Sequence, residues 1–304
     1  MNKKPHDSLI ERAAEVYDFQ SALRAAGIAR AVDPQAAVAL PVTPVFAPAF
    51  VPATAPVVDA RTVNPINLEM LRDTGMIVPG APPSGLSEEF RLVKRQLLIP
   101  AIGGRKKAPI EKGRLILICS AQPNEGKTFS SVNLALSMAS ESDVEVLLID
   151  ADVAKPEILS TLGLAGGPGL MDALSDPTIR VEDLIIRTNV QGLSVLPAGR
   201  QTNNDTELLA SDRTVDVINS LIANNPRRVV LFDSAPALAA SPASVLASHV
   251  GQILLVVRAD QTTESELRDA LTLLAACPNI QLLLNGVTFS GTNRKFGSYY
   301  GFGD

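Results

Sequence analysis

The stretch SAQPNEGKT, residues 120–128, follows an apolar run and precedes helix-forming sequence. A turn at such a junction aims backbone N–H groups and a helix N-terminus at one point, which suits a phosphate group. Gly126 allows close backbone approach, Lys127 can reach β- and γ-phosphate oxygens, and Thr128 offers a hydroxyl to Mg2+. Pro123, Asn124, Glu125 and Phe129 complete the expected nucleotide-binding segment. The pattern departs from Gly-x-x-x-x-Gly-Lys-Ser/Thr at its first position, where Ala121 stands.

Two more apolar runs end in carboxylates. LLIDAD puts Asp150 and Asp152 at the end of a strand-like run, and alternation lets both point the same way. Carboxylates so close repel unless a proton or metal intervenes, and Mg2+ with its waters is the natural mediator. Asp152 could instead cap the helix that follows. VVLFDSAP leaves Asp233 where P-loop enzymes keep the carboxylate that holds a metal water. Any α/β protein has such a run, so Asp233 gains its meaning from its order in the chain after the phosphate loop.

These residues need strands behind them. Six short apolar runs, at 115–120, 145–150, 193–198, 228–233, 252–258 and 280–285, are separated by helix-length segments. Runs of this kind read as strands buried on both faces, which predicts a doubly wound, mostly parallel α/β sheet. In front of it, SEEFRLVKRQLL reads as a helix with Ser87 as its cap and Phe90, Val93 and Leu97 on one face. The expected organisation is an N-terminal helix within 1–33, a Pro/Ala-rich linker over 34–85, a nucleotide-binding domain over 86–289 and a Gly- and aromatic-rich tail over 290–304.

Composition removes several function classes. A net charge of -5 and a pI near 5.2 give no support to a nucleic-acid partner. Cys119 and Cys277 are far apart and lack neighbours for a metal site or redox pair, and only His6 and His249 could serve a Ser-His or Cys-His mechanism. The N-terminus lacks the apolar stretch of a secretory signal, and no run of about 18 apolar residues is present, so a cytoplasmic protein is expected.

Taken in order, these motifs resemble the bacterial tyrosine kinases of exopolysaccharide and capsule loci, in particular the stand-alone kinases of exosortase-linked loci. The likeness covers roughly residues 86–304. SAQPNEGKT resembles the family's Walker A motif, LLIDAD its modified second Walker motif and LFDSAP its Walker B motif. SEEFRLVKRQLL resembles the helix through which members form rings, with Glu88, Arg91 and Lys94 at the matching positions and Arg95 adjacent. Tyr299 and Tyr300 resemble the terminal autophosphorylation cluster, although a pair of exposed aromatics would look the same.

The resemblance implies a P-loop NTPase fold of the MinD/ParA-like type and transfer of the ATP γ-phosphoryl group to tyrosine. It implies Lys127, Asp150 and Asp152 as catalytic groups, and Thr128, Asp150, Asp152 and Asp233 around Mg2+. The partners implied are further copies of the chain in a ring and a membrane chain-length-determinant protein that activates the kinase and holds it at the inner membrane. After Asp152, where members often carry an Arg-rich turn, Ala154 and Lys155 stand instead. Two rival readings stay open. One is a dimeric ATPase switch of the chromosome-partition and septum-positioning type, whose signature lysine is replaced here by Gln122; the other is a non-enzymatic ATP-binding regulator of a polysaccharide complex.

Overall fold

The computed structural model describes residues 63–287, apart from 105–106 and 224. All belong to one compact unit, Ala53–Asp304. The helix expected within 1–33, most of the Pro/Ala-rich segment and the tail with Tyr299 and Tyr300 lie outside the described residues.

Eight strands form one sheet: β1 (Val63–Asn64), β2 (Leu115–Ser120), β3 (Glu145–Ala151), β4 (Ile186–Thr188), β5 (Leu193–Leu196), β6 (Arg228–Ser234), β7 (Gln252–Arg258) and β8 (Ile280–Asn285). Their order is β1-β4-β5-β3-β6-β2-β7-β8. Every neighbouring pair is parallel except β4 with β5. All six apolar runs are strands, and Pro197 closes the third after Leu196. The two strands that the sequence did not announce, β1 and β4, are two and three residues long. Runs so short carry no period-2 signal.

Helices cover both faces of the central strands, as their continuous apolar runs require, whereas the edge strand β8, also expected to be buried on both faces, leaves Leu282 and Leu284 exposed. On one face, Ile116, Ile118, Val146, Leu148, Val229 and Leu231 pack with α1 (Leu68–Asp73), α2 (Gly85–Ile102), α3 (Lys127–Ala139) and α4 (Ile158–Leu162). On the other, Leu115, Leu117, Leu147, Ile149, Val230 and Phe232 meet residues of α5 (Leu170–Ser175), α7 (Asp212–Ala223), α8 (Pro242–Ala247) and α9 (Glu264–Leu273). A further short helix, α6 (Asp205–Leu209), precedes α7. The parity split is complete in these three central strands. By the same alternation, Asp150 and Asp233 fall on the face of α3.

Two sequence expectations shift at the start of this unit. Residues 63–85, read as linker, supply β1 and α1, and Leu71 of α1 is fully buried. Helix α2 begins at Gly85, not Ser87, because Ser84 is its cap: Ser84 Oγ accepts from Ser87 N at 3.2 Å while Ser87 Oγ accepts from Ser84 N at 2.7 Å. This reciprocal pair satisfies two amide donors at the helix start.

Candidate functional site

The phosphate loop occupies the turn between β2 and α3 at the C-terminal edge of the sheet, the edge on which open α/β folds bind ligands. Its curvature requires left-handed backbone at Asn124 (φ +65°) and Gly126 (φ +96°). A Cβ on Gly126 would also lie 2.1 Å from Asn285 Nδ2, so glycine is required twice over. Pro123 and Asn124 are exposed, whereas Glu125, Lys127 and Thr128 are buried. Phe129 is half-buried and packs with the core on the α3 face.

Parallel pairing brings the carboxylates to this loop. Asp150 and Asp233 are direct partners in the β3–β6 register, and Ile118 of β2 pairs with Asp233 on its other side. Lys127 Nζ forms an ion pair with Asp152 Oδ2 at 2.8 Å, both side chains being buried. One turn along α3, the Ser131 hydroxyl donates to Asp233 Oδ1 at 2.9 Å. Asp150 Oδ2 accepts from Ile158 N at 3.0 Å, and Asp152 Oδ1 from Lys155 N at 3.2 Å. Asp152 thus supports the turn and reaches the phosphate-loop lysine, but it does not cap the following helix as the alternative had it: the first amide of that helix, Ile158 N, donates to Asp150.

The electrostatics are unbalanced. Burial, together with the neighbouring Asp233, pushes the Asp150 carboxyl up to about 7. Burial likewise raises Asp233 to about 6, against the opposing pull of Lys127. Burial alone would lower Lys127, but Asp233 and Asp152 outweigh it and hold the ammonium above its ordinary range. Asp150 Oδ1 and Asp233 Oδ2 are buried without a hydrogen-bond partner among the described residues. Buried polar atoms normally find partners, so an unpaired carboxylate oxygen on each of two register-partner residues leaves room for a cation or a donor.

The donor set fits Mg2+. Among the described residues no three His, Cys, Asp or Glu side chains group tightly enough to hold a metal by themselves. Mg2+ does not need such a cage, since it is usually held by one or two carboxylates plus phosphate oxygens and waters. Thr128, Asp150, Asp152 and Asp233 could supply the protein's share.

The helix read as a ring-forming element divides differently. Arg91 pairs with Glu88 at 2.7 Å and is exposed, as is Arg95. Lys94 instead turns inward: its Nζ donates to Ser137 O at 2.9 Å and Ser140 Oγ at 3.1 Å and pairs with Glu141 at 2.7 Å. It fastens α2 to the end of α3, so the exposed positions of this motif are Arg91 and Arg95, with Glu88 half-buried beside Arg91. Gln122, where the rival switch family has its lysine, donates to Glu266 Oε1 at 3.0 Å.

Three site residues were not singled out from sequence. Asn285 ends an apolar run, as Asp150 and Asp233 do, and donates to Glu125 O at 2.8 Å. Ser131 lies four residues after Lys127, a spacing that stacks it beneath the loop. Thr262, which donates to Glu125 Oε1, carries no comparable signal.

No family model matches the chain. EpsB of Ralstonia nicotianae, whose assignment as a tyrosine-protein kinase is provisional, is 31% identical over 192 residues, 62% of this chain and 25% of that protein. Tyrosine-protein kinase YwqD of Bacillus subtilis is 29% identical over 225 residues, 73% of this chain and 90% of that protein. Among solved structures, the kinase domain of the Escherichia coli tyrosine kinase ETK matches with a TM-score of 0.59 at 27% identity, covering 76% of this chain and 94% of that domain. The match spans about a quarter of the length of the first curated relatives, so the likeness is to one part of those larger proteins.

Proposed function

Because the chain belongs with the bacterial tyrosine kinases, we propose that it is an ATP-dependent protein-tyrosine autokinase that phosphorylates Tyr299 and Tyr300 of its own C-terminal tail and regulates exopolysaccharide synthesis and export. The observation that carries this reading is the meeting of Lys127, Asp150, Asp152 and Asp233 at one phosphate loop, with two carboxylate oxygens that have no hydrogen-bond partner among the described residues.

In this reading the loop amides and Lys127 bind the β- and γ-phosphates, Lys127 exchanging Asp152 for phosphate oxygens. Thr128, Asp150, Asp152 and Asp233 hold Mg2+, directly or through water. When bound there, Mg2+ would supply neutralisation of the charge on the transferring phosphoryl group. One of the two carboxylates of the LLIDAD run, Asp150 or Asp152, receives the phenolic proton as the tyrosine attacks in this reading. Positioning and charge neutralisation supply most of the catalysis in such transfers.

The partners proposed are further copies of the chain, assembled through the face of α2 that carries Glu88 and Arg91, and a membrane chain-length-determinant protein whose cytoplasmic end activates the kinase. No helix among the described residues is long and apolar enough to cross a membrane. In this proposal attachment to the inner membrane runs through that partner.

The test is to incubate the full chain with Mg-ATP, alone and with the activator's cytoplasmic peptide, and to probe for phosphotyrosine. The expected result is a signal that disappears in Lys127→Met and in the Tyr299/Tyr300→Phe double variant. ATP hydrolysis with no phosphotyrosine in either condition would overturn the reading in favour of an ATPase switch.

A further inference from the structure

A carboxylate in a loop that receives a triphosphate is at first sight misplaced, since like charges repel. Glu125 nevertheless sits in the middle of that loop and is only 3% exposed. Both of its oxygens are engaged: Oε2 accepts from Gln122 N at 2.9 Å and Oε1 from the Thr262 hydroxyl. Thr262 Oγ1 in turn accepts from Arg258 N at 2.8 Å, at the end of β7. The backbone carbonyl of Glu125 accepts from Asn285 Nδ2 at 2.8 Å, at the end of β8. Gln122 adds a second tie to the start of α9 through Glu266. No lysine, arginine or histidine pairs with Glu125 among the described residues.

We infer that Glu125 is a positioning residue: its buried carboxylate holds the phosphate loop in its binding shape by fastening it to the connection between β7 and α9. The inference rests on the nucleotide-binding reading above and adds to it. The loop places Asn124 and Gly126 in left-handed backbone, so it needs support from outside its own local preferences. Glu125 supplies that support with two acceptors, one taken by the loop's own Gln122 amide and the other by a different element. Because the carboxylate is committed to these donors, its charge is turned to holding the loop. The loop's shape, and with it phosphate affinity, then depends on a hydroxyl at Thr262, which lies 137 positions away in sequence.

The experiment measures binding of Mg-AMP-PNP by calorimetry, and the ATP dependence of autophosphorylation, for the full chain and for Thr262→Val, Thr262→Ser and Glu125→Gln. Thr262→Val removes the donor at nearly constant volume and should weaken AMP-PNP binding about tenfold, the factor expected from losing one hydrogen bond to a charged acceptor. KM for ATP should rise in parallel with kcat little changed, because the loop grips ground state and transition state alike. Thr262→Ser keeps the donor and should restore wild-type affinity. Glu125→Gln keeps one acceptor and should fall between. Wild-type affinity in Thr262→Val, or equal loss in Thr262→Ser, would overturn the inference while leaving the kinase reading intact. If the wild-type chain itself binds no AMP-PNP, the nucleotide reading falls and this one falls with it.

Discussion

Two lysines of this chain are buried to the same degree, Lys94 and Lys127, each 7% exposed, and their surroundings could hardly differ more. Lys94 has a carbonyl, a hydroxyl and a half-exposed carboxylate, all within 3.1 Å, and its ammonium has no further need of partners. Lys127 has one carboxylate at 2.8 Å and also feels the charge of Asp233, whose Oδ2 has no hydrogen-bond partner among the described residues. The first arrangement is complete and serves only to join two helices. The second gathers buried carboxyl groups around one lysine, and in the proposed function a cation and phosphates complete it. Burial of a charge is thus not itself a sign of function; the unmet demand around it is.

The comparison is broken most directly by removing each ammonium in turn. Lys127→Met should lower phosphotyrosine formation on the order of a hundredfold or more, the loss typical when a charge-stabilising donor is deleted, while the fold persists by circular dichroism. Lys94→Met should do the reverse: stability falls by about 2 kcal/mol in urea unfolding, because a buried group loses its hydrogen-bonded partner, and activity per folded molecule holds. If Lys94→Met abolished phosphorylation in fully folded protein, the division between the two lysines would be wrong.

A subtler test uses the unbalanced charge itself. Asp150 and Asp233 have folded values of about 7 and about 6, both above the ordinary carboxylate value of 3.8. Between those limits the folded protein holds protons that the unfolded chain has released, so the contribution of these groups to stability is full below about pH 4 and is lost as pH rises through 6 and 7. The nucleotide-free protein should therefore unfold at lower urea at pH 8 than at pH 5, as far as these two groups decide it, and Mg-AMP-PNP should shrink the difference. Asp150→Asn retains an acceptor for Ile158 N but not the charge. It should raise stability at pH 8 and abolish phosphotyrosine, the trade expected of a site kept under electrostatic strain. A pH profile unchanged by Asp150→Asn would remove the basis for this account.

Much of this was legible in the chain itself. The apolar runs of the central strands follow from burial on both faces of a parallel sheet, and alternation puts Asp150 and Asp233 on the face of the helix that follows the phosphate loop. The run at 280–285 is an edge strand whose Leu282 and Leu284 are exposed, so apolar sequence there did not mean burial. What stayed hidden depended on distance in sequence or on a single side-chain choice. Strands β1 and β4 are too short to show a period. Thr262 matters only because folding brings it to Glu125. Lys94 and Arg91 are equally plausible on an outward stripe when read from spacing, and only the serines at the end of α3 turn Lys94 inward.

The smallest effect on folding belongs to Arg91, and it is also the one that sharpens the ring question. Its guanidinium is more than half exposed and pairs with Glu88 one turn away. Exposed pairs at this spacing contribute about 0.5 kcal/mol or less, since water and salt screen them. Arg91→Ala should therefore leave urea unfolding almost unmoved. The guanidinium remains a planar, five-donor fork on an open helix face, suited to a carboxylate on another copy in a way that lysine is not. If copies of the chain assemble through this face, Arg91→Ala should reduce the sedimenting species to monomer with no loss of stability, and Arg91→Lys should restore assembly poorly. Unchanged sedimentation in Arg91→Ala would move the assembly surface away from α2, because Lys94, already spent on Ser137, Ser140 and Glu141, has no donor to spare for a neighbour.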